Sequence, residues 1–242
     1  MIRLQVQVVE SYAALSQQAA GVVADLVRRK PAAVLGLPTG STPEGLYALL
    51  PACGVSFAQV KTFNLDEYVG LPPEHPQSYH AWMERHLFSR VDLRPEHIHL
   101  PDGMAPDPVA ECRRYEACIA VAGGLDLVLL GLGPNGHIGF NEPGTPWDAP
   151  TRPVDLAPAT RRANARFFGT QAAVPQRALT MGIGTILSAR RILLLAAGAR
   201  KAAVVQRLLS ETPSPALPAS ALFSHPDATL LLDRAAAGGP AF

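Results

Sequence analysis

Aromatic side chains are scarce in this sequence, with 8 Phe, 5 Tyr and 2 Trp among 242 residues, and cysteine is scarcer still, with 3. A core with so few rings must be aliphatic. Cys53, Cys112 and Cys118 are odd in number and form neither a CxxC pair nor a metal-site spacing. That excludes a disulfide framework and a cysteine-bound zinc, and leaves buried or idle thiols. No sign of charge dominates, since 21 Lys plus Arg stand against 20 Asp plus Glu. Bulk charge therefore recruits neither nucleic acid nor a membrane surface, and any anion site must be local. No apolar run is long enough to cross a bilayer, and the opening MIRLQVQVVESYAALS lacks the basic-then-apolar pattern of a secretory signal; a cytoplasmic location is expected. Repeats, low-complexity tracts and dividing linkers are also missing, so a single domain over residues 1–242 is expected.

What is present is aliphatic and alternating. Hydrophobic residues make up 48% of the chain and charged residues 17%, a balance suited to a compact α/β protein. Short runs at 4–9, 32–37, 60–65, 97–100, 125–132, 191–196 and 229–232 read as strands. Helical spacing fills 12–29, with Ser11 as N-cap, and 76–88, 106–121, 160–168 and 201–209; Thr42-Pro43-Glu44 opens a further helix with proline at its first position. Strands alternating with helices predict an α/β fold, a mainly parallel sheet covered on both faces. In such a sheet ligands collect at the carboxyl ends of the strands. The proline-rich stretch 143–153 reads as a mobile active-site loop rather than a domain boundary.

Three loops at strand ends carry chemistry. In the first, Gly36-Leu37-Pro38-Thr39-Gly40-Ser41-Thr42-Pro43, small residues and hydroxyls lead into a helix N-terminus, an anion cradle without the Lys of a nucleotide loop or the GxGxxG of a dinucleotide site. A small phosphate monoester fits it, although an ordinary strand-to-helix turn has the same look. The second, Thr62-Phe63-Asn64-Leu65-Asp66-Glu67-Tyr68, sets two acids at a strand end. Neighbouring side chains on an extended strand point to opposite faces, so Asp66 and Glu67 have different jobs: one can face the cleft as a general base, and capping the following turn is open to either. The third runs from Gly131 through Gly133-Pro134-Asn135-Gly136-His137 to Asn141-Glu142-Pro143. It brings a histidine, an amide and an acid into one tight loop, suited to proton traffic at a sugar ring oxygen and anomeric hydroxyl. Elsewhere His97 and His99 have the i, i+2 spacing of a strand chelate, but no acid or cysteine completes a shell, so no metal is expected.

Together the segments LGLPTGSTPEGLY, FNLDEYVGLPPEHPQSYH, GLGPNGHIGFNEPGT, ALTMGIGTIL and AAGARKA, spread over nearly the whole chain, resemble the glucosamine-6-phosphate deaminase family. The resemblance implies a three-layer αβα sandwich, Rossmann-like and related to ribose-5-phosphate isomerase. It also implies a cofactor-free reaction that turns D-glucosamine 6-phosphate and water into D-fructose 6-phosphate and ammonia. Asp66 would then move the proton from C2 to C1, and His137 would open the pyranose ring with Asn135 and Glu142 in support. Gly40, Ser41 and Thr42, with Arg166 and Lys201, would hold the phosphate, and a lid is expected around 155–173. Some members carry aspartate where this chain has Asn135. Allosteric members place two basic residues, two apart, after the NEP motif; here Arg152 is kept but Val154 fills the second place, and the short tail after ATLLLDRAAAGGPAF also points to an unregulated form. A monomer or a homo-oligomer is compatible with the sequence. A 6-phosphogluconolactonase or another sugar-phosphate isomerase on a related fold, and a sugar-phosphate sensor, are the competing readings, disfavoured by the intact FNLDEY and NGHIGFNEP loops and by the lack of a basic helix-turn-helix segment before Leu4.

Overall fold

The computed structural model describes residues 4–239. The chain enters on β1 (Gln5–Val9) and turns into α1 (Tyr12–Arg29), where the Ser11 hydroxyl accepts from the Ala14 N–H at 3.3 Å, the cap that the sequence predicts. β2 (Val34–Leu37) leads to α2 (Glu44–Leu49), with Pro43 just ahead of the first helical residue rather than on it. β3 (Lys61–Asn64), β4 (Asp66–Tyr68), α3 (Tyr79–His86), β5 (Ile98–His99), α4 (Pro108–Val121) and β6 (Leu127–Gly131) follow. Beyond the histidine loop come β7 (Arg152–Asp155), α5 (Pro158–Phe168), β8 (Arg177–Thr180), α6 (Ile183–Leu187), β9 (Arg191–Ala196), α7 (Ala202–Ser210) and β10 (Ala228–Asp233).

Seven strands form one parallel sheet in the order β1-β10-β9-β6-β2-β3-β5. Alternation along β6 decides the layers. Val128 and Leu130 point into a core completed by Tyr115 and Ile119 of α4, Ile183 and Ile186 of α6 and Val204, Val205 and Leu208 of α7. Leu127 and Leu129 point the other way, against α1, α2 and α3. This is the three-layer sandwich expected from the sequence. The chain steps from β2 outward to β3, then crosses back to place β6 on the other side of β2, so a topological switch point lies between β2 and β6. Four neighbouring strands, β9, β6, β2 and β3, thereby deliver Lys201, the histidine loop, the Gly40–Thr42 turn and Asp66 to one edge of the sheet.

A second, antiparallel sheet, β4-β8-β7, is absent from the sequence reading. Asp66 and Glu67 do not simply end the strand predicted at 60–65. Leu65 is the junction: its N–H donates to Leu37 O of β2 at 3.1 Å, and its carbonyl accepts from Met181 N–H at 2.6 Å, next to β8. After Leu65 the chain leaves the large sheet and joins the small one. The stretch 143–153 is likewise not all loop, because β7 begins at Arg152 and Thr145, Ala149 and Thr151 are buried. The helix predicted over 76–88 starts only at Tyr79, where the Ser78 hydroxyl accepts from Ala81 N–H at 3.0 Å. Under the small sheet lies a separate aromatic core of Tyr68, Phe140, Leu156 and Ala178, with Tyr79 and Phe168 packed against it. Among the described residues no helix is long and apolar enough to cross a membrane, and no group of three or more His, Cys, Asp or Glu is arranged to hold a metal ion.

Candidate active site

After Gly131 the chain must double back to present a histidine. Gly133 N–H donates to His137 O at 2.9 Å and Gly136 N–H to Gly133 O at 3.0 Å, which closes the turn. A Cβ on Gly133 would lie 2.3 Å from the imidazole ring, so the ring occupies the space a side chain would need. Asn135 Nδ2 donates to Glu142 Oε2 at 2.7 Å, while its Oδ1 accepts from the His137 backbone N–H at 3.2 Å and lies 2.7 Å from His137 Nδ1. A carboxylate on one side and a backbone N–H on the other fix which end of the amide is which. The proton between Asn135 and the ring therefore sits on Nδ1, and Nε2 is left as an acceptor. Glu142 Oε2 stands 3.8 Å from Nδ1, beyond a direct hydrogen bond but close enough for its charge to act on the ring. Burial holds the imidazole below its usual proton affinity; Glu142 opposes this and Lys201 adds to it.

The short strand β4 sends its two acids to opposite faces. Glu67 Oε1 accepts from Tyr68 N–H at 2.8 Å and Tyr79 N–H at 3.0 Å, and Oε2 from His80 N–H at 3.0 Å. It ties β4 to the first turn of α3, one of the two roles left open in the sequence. Asp66, only 7% exposed, finds no hydrogen-bond donor among the described residues. Burial, with the charge of Glu67 behind it, pushes its carboxyl up to about 8. The histidine loop closes directly over this carboxylate. Gly139, at φ +57°, would bring a Cβ 3.5 Å from Asp66 Oδ2 and 3.1 Å from Thr180 Oγ1. Asn141, fully buried, pins the same loop by donating to Ile138 O and Met181 O, each at 2.9 Å, and its Oδ1 accepts from Arg152 Nη1 at 2.8 Å.

The Gly40–Ser41–Thr42 turn leaves the neighbouring strand with Gly40 at φ +99°. Tyr12, at the start of α1, fastens it: its hydroxyl is 3.0 Å from Ser41 O and 3.2 Å from Thr42 O, and accepts from Gly45 N–H at 2.8 Å. Lys201 Nζ donates to Leu132 O at 2.6 Å, at the mouth of the histidine loop. Burial, aided by Arg200, holds its ammonium below the usual lysine range. Asp66, Asn135, His137, Glu142 and Lys201 thus come together, with Gly40, Ser41 and Thr42 on the adjoining strand end. Arg166 does not join them. It lies exposed on α5 with its guanidinium carbon 4.6 Å from the Phe167 ring centroid. Thr160, whose hydroxyl donates to Glu142 Oε1 at 2.7 Å, belongs to the site and was not singled out by the sequence. Neither were Tyr12, Asn141 and Thr180. Of these, only Asn141 carried a signal in the sequence, its place inside the NEP motif.

The family model for glucosamine-6-phosphate isomerases/6-phosphogluconolactonase matches residues 7–231. A glucosamine-6-phosphate deaminase of Bacillus velezensis is 54% identical over 232 residues, covering 94% of this chain and 96% of that one. Among solved structures, a monomeric glucosamine-6-phosphate deaminase superposes with a TM-score of 0.94 at 49% identity, over 97% of this chain and 99% of the other. The 6-phosphogluconolactonase of Trypanosoma cruzi superposes with a TM-score of 0.79 at 23% identity, over 98% and 96% of the two chains, a likeness of fold alone. The chain belongs to the glucosamine-6-phosphate isomerase/6-phosphogluconolactonase family.

Proposed function

We propose that the chain converts D-glucosamine 6-phosphate and water into D-fructose 6-phosphate and ammonia. The observation that carries this reading is a dry carboxylate, Asp66, closed over by the loop that presents the Nε2 acceptor of His137. The reaction needs two separate proton movements, one on oxygen and one on carbon. His137 Nε2 takes the anomeric hydroxyl proton, the C1–O5 bond breaks, and the proton passes to O5. Asp66 then removes the C2 proton of the open aldehyde while O1 takes a proton from the substrate ammonium, giving the enolamine, and returns its proton to C1 as that enolamine collapses to the C2 imine. Water adds to the resulting C2 imine and ammonia leaves. C1 is reduced as C2 is oxidised, so no external oxidant or cofactor enters the balance. A carboxyl with raised proton affinity suits a carbon acid better than an ordinary aspartate, because its conjugate acid is closer in strength to the C–H it must ionise.

The Gly40–Ser41–Thr42 turn and Lys201 hold the phosphate in this reading, with Gly40 allowing a close backbone approach. Arg166 is assigned to the phosphate in this reading by its place in the motif, on the α5 segment of the lid proposed for residues 155–173. In the present position of α5 its guanidinium faces away onto Phe167. Arg152 already donates to Asn141 Oδ1 and Thr145 Oγ1, and Val154 packs beside the aromatic core, an arrangement that supports an enzyme without an effector site on β7.

The test is ammonia release from glucosamine 6-phosphate by the wild type and by Asp66→Asn. Turnover in the wild type and its loss in the variant are expected. A wild type that releases no ammonia but hydrolyses 6-phosphoglucono-lactone would overturn the reading.

A further inference from the structure

One face of α5 touches both halves of the site. Thr160 Oγ1 donates to Glu142 Oε1 at 2.7 Å, and one turn later Asn164 Nδ2 donates to the Tyr68 hydroxyl at 2.9 Å, on the strand that carries Asp66. A further turn on, Phe168 meets the Tyr68 ring edge-on with centroids 5.5 Å apart. Residues at i, i+4 and i+8 form one stripe on a helix, so all three contacts are made or lost together. The contact at Thr160 has a specific consequence. Asn135 holds only Oε2 of Glu142, and among the described residues Thr160 is the one side chain that donates to Oε1. A carboxylate gripped at one oxygen can turn about its terminal torsion, whereas two donors on different oxygens fix its plane.

We propose that Thr160 is a positioning residue for the ring-opening histidine: α5, when docked, supplies the hydroxyl that fixes Glu142, Glu142 fixes the Asn135 amide, and Asn135 fixes His137 with Nε2 turned to the substrate. This rests on the proton role given above to His137. It makes the relay complete only while α5 lies on the site, with Asn164 and Phe168 as the contacts that keep it there. The charged groups that face His137 are Glu142 and Lys201, and of these only Glu142 is held by Thr160.

Thr160→Val keeps the side-chain shape and removes the donor, and Thr160→Ser restores the donor without the methyl group. In Thr160→Val kcat is expected to fall roughly tenfold or more, the scale of one lost hydrogen bond to a charged group, with KM within about twofold of the wild type. Thr160→Ser is expected to recover most of the loss. In the substrate-free protein, NMR titration of the His137 ring gives a second readout. Once Oε1 is released, the partly exposed carboxylate of Glu142 swings toward water and its support of the imidazolium weakens, so the midpoint drops by about half a pH unit in Thr160→Val and returns in Thr160→Ser. That measurement needs no turnover, so it stands even if the wild type releases no ammonia and the proposed reaction fails. An unmoved His137 titration in Thr160→Val, a kcat unchanged in an active enzyme, or a Ser variant as impaired as the Val variant overturns the proposal.

Discussion

The two groups proposed to carry protons, His137 and Asp66, sit in opposite kinds of surroundings. His137 lies in a loop closed by backbone hydrogen bonds, its ring held by the Asn135 side chain and backed by an acid, yet burial holds its proton affinity below the usual imidazole value. Asp66 lies on a strand, dry and without a donor, and its carboxyl is pushed up to about 8. The ordinary order of the two groups is thereby inverted: the carboxylate binds a proton more tightly than the imidazole. In the proposed reaction two proton-transfer tasks of different difficulty would be matched by environment rather than by residue type, with the stronger base set against the carbon acid.

The sharpest way to break this comparison is Asp66→Asn. Loss of a general base typically costs 10²–10⁴-fold, so ammonia release is expected to fall by about three orders of magnitude. Stability should move the other way. Asp66 has a raised folded-state pKa, so its protonated form contributes stability that is fully present below the unfolded value and is lost as pH rises through about 8. Asparagine has no charge to lose. Its gain in thermal stability over the wild type is expected to grow from pH 5 to pH 9, reaching on the order of a few kcal/mol, and a difference that is flat with pH would show that Asp66 is not desolvated. In the wild type itself, kcat/KM is expected to climb with pH toward about 8, the limb set by Asp66 rather than by the already neutral His137. A limb ending near pH 6 would restore the ordinary order.

Gly133→Ala tests the other half. The added Cβ falls on the ring, so His137 must rotate out of line with Asn135, and a loss of about 10²-fold in kcat is expected with little change in the unfolding temperature. A smaller effect is expected from Asn135→Asp, which places a charge directly on Nδ1. The His137 titration, followed by NMR, should rise by about one unit, narrowing the inversion without abolishing turnover. The smallest effect is none. N-acetylglucosamine 6-phosphate is expected to leave the substrate saturation curve unchanged, because Arg152 is engaged with Asn141 and Thr145 and Val154 offers no charge; a clear rise in apparent substrate affinity would contradict this.

What was legible in the sequence was local. The 18-residue helix with its Ser11 cap and the aliphatic run of β9 lie where their periodicity put them, because a single strong pattern specifies each. The opposite facing of Asp66 and Glu67 followed from strand alternation alone. What was not legible depends on partners far along the chain. β7 contains a proline and β8 begins with an exposed arginine; neither reads as a strand until Thr180 is seen bridging Asp66 and Arg152 across the small sheet. The Thr160 hydroxyl meets Glu142 across 18 positions, with nothing in either neighbourhood to announce it. Arg166 was placed by motif position, and the geometry it needs depends on where α5 lies.

Tyr12 stands outside every motif, yet its hydroxyl accepts the Gly45 N–H of α2 and shares its own proton between the Ser41 and Thr42 carbonyls of the turn just before that helix. The first turn of the first helix is therefore part of the anchor for a loop some 30 residues downstream. Damage there should register as poorer grip on the substrate rather than as slower chemistry. If the Gly40–Thr42 turn holds the phosphate as proposed, a tag, fusion or trimming that disturbs the first helix is expected to weaken the enzyme's appetite for sugar phosphate without touching a residue of the turn.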